Sequence, residues 1–398
     1  MMDFNKLINR KDTGSIKWDK AERLFGSKDV LPMWVADMDF DNPDPVKDAL
    51  TNMIRNEVLG YTFPKDSLYQ SIVNWQAEHH GMDLKPDHIS FSPGVLSSIA
   101  VVVQAFTQEG DGVLIHDPVY TPFSSMVKKN NRKVFRSNLK ISNNKYVMDF
   151  EDIDEQMSQH EVKLFILSNP HNPGGRVWSR EELDKLVTLC IKNNVLLISD
   201  EIHSDLVYSP NEMVSPVTLK EEYKKWVITL HSATKTFNLA GVKASFIIVL
   251  DRKLKAKIKA IQQQTELDII NSFGMCATEA AFSQSADWHG ELIQYLDKNR
   301  KQIIDFFDKE LPDVEYMVPE STYLFWFDAS TLNLESSKIR KAFAETGKIG
   351  LNDGLSYGSN APEFMRLNFA VPKVVLSEGL TRIKNVFDAY NIKHTESD

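Results

Sequence analysis

The chain has 398 residues, of which 42% are hydrophobic and 25% charged, and its formal net charge is −9. That length exceeds what one hydrophobic core usually spans, so two domains around a cleft are expected, with enough apolar material that no disulfide or metal staple is needed. The acidic balance argues against a nucleic-acid partner and against a basic membrane-surface patch, because phosphate binding needs clustered Lys and Arg.

The N-terminal stretch MMDFNKLINRKDTG lacks the apolar run of a signal peptide. No apolar run approaches the ~20 residues needed to cross a bilayer, so the expected location is the cytoplasm. Both cysteines, Cys190 and Cys276, fall in helix-like apolar stretches and read as buried, reduced thiols.

The first 40 or so residues read as irregular, with a dense apolar cluster, LPMWVADMDF, at 31–40. From Pro43 a helical period places Val46, Leu50 and Ile54 on one face and ends at Gly60; a second helix is expected over 68–78. The pattern then changes to short apolar runs at 88–91, 113–116, 133–136, 163–167, 195–199, 226–231 and 246–250, with amphipathic stretches between several of them. Alternating strands and helices predict an α/β architecture, a mainly parallel sheet covered by helices on both faces. From about Ser285 a long helix to Lys309, strands at 314–318, 323–327 and 365–369, and helices at 336–346 and 376–390 predict a smaller α+β domain. The expected division is an N-terminal segment 1–45 joining the small domain, a large domain 46–284 and a small domain 285–398, linked by continuous helix rather than a tether.

Fixed-spacing signatures for other chemistries are missing. The Gly110–Gly112 pair lacks the third glycine of a dinucleotide fingerprint, and no P-loop, HExxH or GxSxG occurs. His203 and Asp205 alone are too sparse for a metal site, so none is expected. Three polar clusters stand out instead, each directly after an apolar run: SNPHNPGG at 168–175, DEIH at 200–203 and HSATKTFN at 231–238. Taken singly they read as a turn, a helix N-cap and a surface lysine. In an open α/β sheet, however, the carboxyl ends of parallel strands face one crevice, so the three should converge there.

Together they supply a lysine, a carboxylate and an Asn-rich loop. A lysine amine can form a Schiff base with an aldehyde cofactor. A carboxylate can keep a pyridine nitrogen protonated, which makes the ring an electron sink. Hydroxyls beside the lysine, and the Gly94-Val95-Leu96 turn before a helical stretch, can hold a phosphate.

The succession NPHNPGG, SDEIHSD, SATKTFNLAG and MRLNFA resembles the fold-type I pyridoxal-phosphate enzymes of the aminotransferase class I/II superfamily, over nearly the whole chain from about Leu31. PMWVADMDF at 32–40, DEIHSDLV at 200–207 and STYLFW at 321–326 look more narrowly like its MalY/PatB-type cystathionine β-lyase, or C–S lyase, branch. The resemblance implies a pyridoxal 5′-phosphate cofactor with Lys235 as the Schiff-base lysine, Asp200 as partner of the pyridine nitrogen, Asn172 on the phenolic oxygen and Tyr120 stacked on the ring. It implies Gly94, Val95, Leu96, Ser232 and Thr234 around the phosphate, and Arg366 gripping the substrate carboxylate with a two-pronged hydrogen bond. It further implies a homodimer with shared sites, Tyr61 reaching the partner's phosphate.

Two positions depart from the aminotransferase pattern. His203 stands where many carry a tyrosine, and reads either as a cofactor ligand or as a spacer. Lys243 stands where many carry a phosphate-binding arginine, and offers a point charge without the planar fork. The leading expectation is a β-elimination lyase acting on an amino-acid thioether. An aminotransferase is the alternative within the superfamily, and a regulatory role by protein contact beside catalysis is the alternative of another class.

Overall fold

Alternate residues of the expected strands face opposite sides of a seven-stranded sheet. In the computed structural model, which describes residues 2–395, Leu114, Phe165 and Leu197 enter one apolar core, while Val113, Ile115, Ile166 and Ile198 enter another on the opposite face. Burial on both faces explains why these strands read as continuous apolar runs. The order across the sheet is 89–92, 245–248, 227–231, 196–200, 162–168, 112–117, 133–138. Strand 245–248 runs antiparallel to both neighbours, and all other pairs are parallel.

The second unit is an antiparallel four-stranded sheet, ordered 316–317, 324–328, 364–368, 352–353. It is flanked by helices Ser336–Glu345 and Lys373–Thr395 and by the 25-residue helix Ala286–Glu310. That long helix is separated from helix Ser272–Gln284 only by Ser285, so the connection is a one-residue break rather than the uninterrupted helix expected.

The N-terminal region is less irregular than its sequence reads. It holds short helices Ile16–Asp19 and Ala21–Phe25, and strand Leu31–Pro32 pairs in parallel with Ile349–Gly350. The helix predicted from Pro43 to Gly60 spans Asp44–Asn56; Val46 is buried and Leu50 packs on the core as expected, but the third inward residue is Met53, whereas Ile54 is exposed. At about 3.6 residues per turn the buried stripe continues from Val46 and Leu50 to the residue seven past Val46, not eight. Cys190 is buried as expected, but Cys276 is only partly so, because it lies on the wall of a surface groove. Among the described residues no helix is long and apolar enough to cross a membrane.

Candidate active site

Parallel strands 162–168, 196–200 and 227–231 are adjacent, with Ser168 opposite Asp200 and Asp200 opposite Leu230. The chain leaving each therefore emerges at one edge, where a cavity of about 560 Å³ opens against the small domain. Asn172, Asp200, His203, Thr234 and Lys235 line it from these three exits. Tyr120, which follows strand 112–117, also lines the cavity. From the small domain comes Arg366, on strand 364–368.

Gly94, Val95 and Leu96 close another wall at the start of helix Val95–Phe106. Gly94 has φ +141°, a conformation strained for any side chain, and a Cβ there would meet open space. The free N–H groups and positive end of a twelve-residue helix thus face a cradle suited to a phosphate. Lys243 stands exposed on the same cavity, itself in the left-handed region at φ 50°.

Two predicted residues are not on the wall. Ser232 donates through Oγ to the Ala244 carbonyl at 2.6 Å and receives Thr234 N–H at 3.0 Å, so it shapes the turn from behind. Tyr61 is fully exposed and away from the cavity of its own chain.

The electrostatics are those of an incomplete site. Burial pushes the Asp200 carboxyl up to about 7, offset only in part by the Ile202 N–H and the Lys235 charge. Burial, with Arg366 nearby, lowers the Lys235 amine to about 8, which leaves a sizeable neutral fraction at mild alkaline pH. Burial and the Lys235 and Arg366 charges hold His203 well below its ordinary value, so it is a neutral imidazole whose Nδ1 has no partner among the described residues. Burial raises the Tyr120 phenol to about 12. Arg366 donates from Nη1 to Asn172 Oδ1 at 3.0 Å and from Nη2 to the Trp34 carbonyl at 2.8 Å, while its buried Nε has no partner among the described residues. A buried carboxyl short of donors, an amine of lowered basicity and a glycine cradle fit a pyridoxal phosphate, whose pyridine nitrogen, aldehyde and phosphate match them in turn.

Several residues of the site went unassigned by sequence reasoning. Lys235 Nζ donates at 2.6 Å to the carbonyl of Ala36, which also receives the Tyr323 hydroxyl at 2.9 Å. Asn368 Nδ2 holds the neighbouring Val35 and Asp37 carbonyls. Asn238 pins the same strap from the lysine side, accepting Met38 N–H at 2.9 Å and donating to the carbonyls of Met38 and Phe40. The signal was present: PMWVADMDF and STYLFW were distinctive, but what Lys235 meets there is a backbone carbonyl, which no side chain in the sequence marks. Tyr357 and Asn352, which complete the wall beside Arg366, lie in the small polar run NDGLSYGSN.

Comparison with known proteins agrees with this geometry. The family model for aminotransferase class I and II matches residues 28–383. The chain is 42% identical to the cystathionine β-lyase PatB of Bacillus subtilis over 383 residues, covering 96% of this chain and 99% of that one. It is 29% identical to the protein MalY of Escherichia coli, covering 98% and 100%. Its fold superposes on the crystal structure of a PLP-bound C–S lyase from Staphylococcus hominis with a TM-score of 0.91 at 32% identity, covering 97% and 98%.

Proposed function

We propose that this chain, which belongs to the aminotransferase class I and II family, is a pyridoxal 5′-phosphate enzyme that cleaves the Cβ–S bond of cystathionine or a related cysteine S-conjugate, releasing a thiol, pyruvate and ammonia. The observation that carries this reading is the meeting of Lys235 and the under-partnered Asp200 in one cavity. Its support is a chain similar end to end to PatB and to a C–S lyase.

When bound, the cofactor supplies an electron-withdrawing ring that accepts the electron pair left at Cα. Lys235 would hold its aldehyde carbon and would take the proton from the substrate's Cα. Asp200 keeps the proton on the pyridine nitrogen. Arg366 occupies Asn172 Oδ1, which leaves Asn172 Nδ2 as the donor to the phenolic oxygen. Tyr120 covers the ring. Gly94, Val95 and Leu96 receive the phosphate through backbone N–H groups, with Thr234 and Lys243 beside them and Ser232 holding the turn. Arg366 takes the substrate carboxylate. A thiolate at Cβ leaves readily, whereas an alkyl carbon does not, so the fate of the reaction follows from the substrate's sulfur.

The same reading includes a cytoplasmic homodimer. The dimer's support is the exposed apolar run Val58, Leu59, Tyr61 and Phe63, a costly surface for a lone chain. Tyr61 would then complete the partner's phosphate site. The division at about 45 and 285 belongs to this proposal as well.

The test is incubation of purified holoenzyme with L-cystathionine and no 2-oxo acid. Sustained release of pyruvate and free thiol is expected. Turnover that stalls after one equivalent and resumes on adding 2-oxoglutarate would instead identify an aminotransferase.

A further inference from the structure

Asp117 ends strand Gly112–Asp117, three residues before Tyr120, and is buried, yet it does not line the cavity. Its carboxylate accepts Ser359 N–H at 3.1 Å, Ser359 Oγ at 3.3 Å and Asn360 N–H at 3.3 Å, and meets one cation, Arg136, at 3.4 Å. Asn360 Nδ2 returns two bonds, to the carbonyls of Asp117 at 3.2 Å and Leu139 at 2.8 Å. Val119 N–H donates to the Tyr357 carbonyl at 3.1 Å, and the Thr121 hydroxyl donates to the Ser356 carbonyl. Between these bonds lies Gly358, at φ +154°, where a Cβ would run into the Asp117 carboxylate. The approach is close enough that only glycine fits.

What the seam holds in place is Tyr357. Its ring lies 5.2 Å from the Arg366 guanidinium carbon, and its hydroxyl accepts Asn352 Nδ2 at 3.0 Å. An aromatic face fixes the plane of a guanidinium, and that plane sets the direction of a two-pronged grip. We propose that Asp117 is a positioning residue for substrate binding: it latches the 358–360 turn of the small domain onto the large domain and thereby seats Tyr357 against the Arg366 fork. The latch rests on the reading of Arg366 as the holder of the substrate carboxylate. It acts on the amino acid and not on the cofactor.

The experiment compares holoenzyme variants Asp117→Ala, Gly358→Ala and Asn360→Ala with the parent. The readouts are bound cofactor per chain, affinity for L-alanine from the visible absorbance of the cofactor, KM and kcat for pyruvate release from cystathionine, and the melting temperature. Cofactor content is expected to stay stoichiometric, while the alanine Kd and the KM rise about tenfold in Asp117→Ala and Gly358→Ala, the equivalent of one charge-assisted hydrogen bond. kcat should stay within about twofold. A purely structural role would lower the melting temperature without this split between KM and kcat. Asn360→Ala removes two latch bonds without stranding a buried charge, so it answers the question even where Asp117→Ala does not fold; its Kd should rise about threefold. Unchanged alanine affinity in Asn360→Ala and Gly358→Ala, with cofactor retained, overturns the latch. Arg366→Ala is measured alongside. If it binds alanine weakly while the latch variants bind normally, only the latch fails; if it binds alanine like the parent, the carboxylate reading fails and the latch with it.

Discussion

Asp200 and Asp205 sit five residues apart, both buried, but only Asp200 lines the cavity. Asp205 is supplied with donors on both oxygens. Its Oδ1 receives Trp75 Nε1 at 2.9 Å and His80 Nε2 at 2.7 Å, and its Oδ2 receives the Thr236 hydroxyl at 2.5 Å. Burial would push its carboxyl up, but the His80 hydrogen bond and the surrounding imidazoles outweigh burial and hold it far below the usual range. Asp200 accepts one backbone N–H, from Ile202, at 3.2 Å, and burial prevails. The difference separates two uses of a buried charge. A carboxylate completed by the protein ties elements together; one left incomplete is poised for a cation that arrives with a ligand.

The sharpest break between the regions is on the cavity side. Lys235→Ala is expected to abolish turnover and the cofactor's visible absorbance together, and an active Lys235→Ala protein would remove the assignment. Next comes Asp200→Asn, which keeps the shape but cannot hold the pyridine proton; turnover should fall on the order of a hundredfold to a thousandfold. The same change should stabilise the cofactor-free protein. A folded-state value raised to about 7 means that stability is full in acid and is lost as pH rises from about 4 through 7. Asparagine has no such loss, so cofactor-free Asp200→Asn should exceed the parent by up to roughly 4 kcal/mol at pH 8 and match it near pH 4. Urea unfolding at both pH values measures this, and equal stabilities at pH 8 would contradict the idea that Asp200 is incomplete.

The contrast also explains what could be read from sequence. Lys235, Asp200 and Asn172 were legible because each follows an apolar strand, and adjacent parallel strands bring their exits to one edge. The sheet was legible because strands buried on both faces leave unbroken apolar runs. Asp205 and His80 are 125 residues apart and meet only through the packing of helix Asp66–His80, so no local spacing marks them. The carbonyls of Trp34 and Ala36 were illegible for a different reason: every residue carries a carbonyl, and only the folded strap shows which ones face Lys235 and Arg366.

Asp205→Asn should act on stability first. An amide would turn a donor toward His80, Trp75 or Thr236 and leave buried groups unpaired, at a cost of about 3 kcal/mol. Its pH dependence has the opposite sign to that of Asp200. A depressed carboxyl stabilises fully above its unfolded value near 4, and that contribution is lost as pH falls toward the folded value. The parent's advantage over Asp205→Asn should therefore be flat from pH 5 to 8 and shrink in acid. A variant as stable as the parent at pH 7 would show that the network behind the cavity is not the tie described.

Arg366 extends the comparison from acids to a base, and its expected effect is the smallest. Two of its nitrogens are used by the protein, on Asn172 and Trp34, and the buried Nε has no partner among the described residues. Like Asp200, it is a buried charge with capacity in reserve on the cavity wall, and in the proposed reading an amino acid's carboxylate would complete it. Arg366→Ala should leave the bound cofactor's absorbance intact and weaken amino-acid binding by about 1.5–3 kcal/mol, the worth of a hydrogen bond to a charged group. Arg366→Lys should recover only part of this, because an ammonium cannot present the planar fork or stack on Tyr357. Absorbance titration with L-alanine distinguishes the three proteins. Equal affinity in Arg366→Lys and the parent would mean that a point charge suffices there, and that the reserve on Arg366 serves packing rather than the substrate.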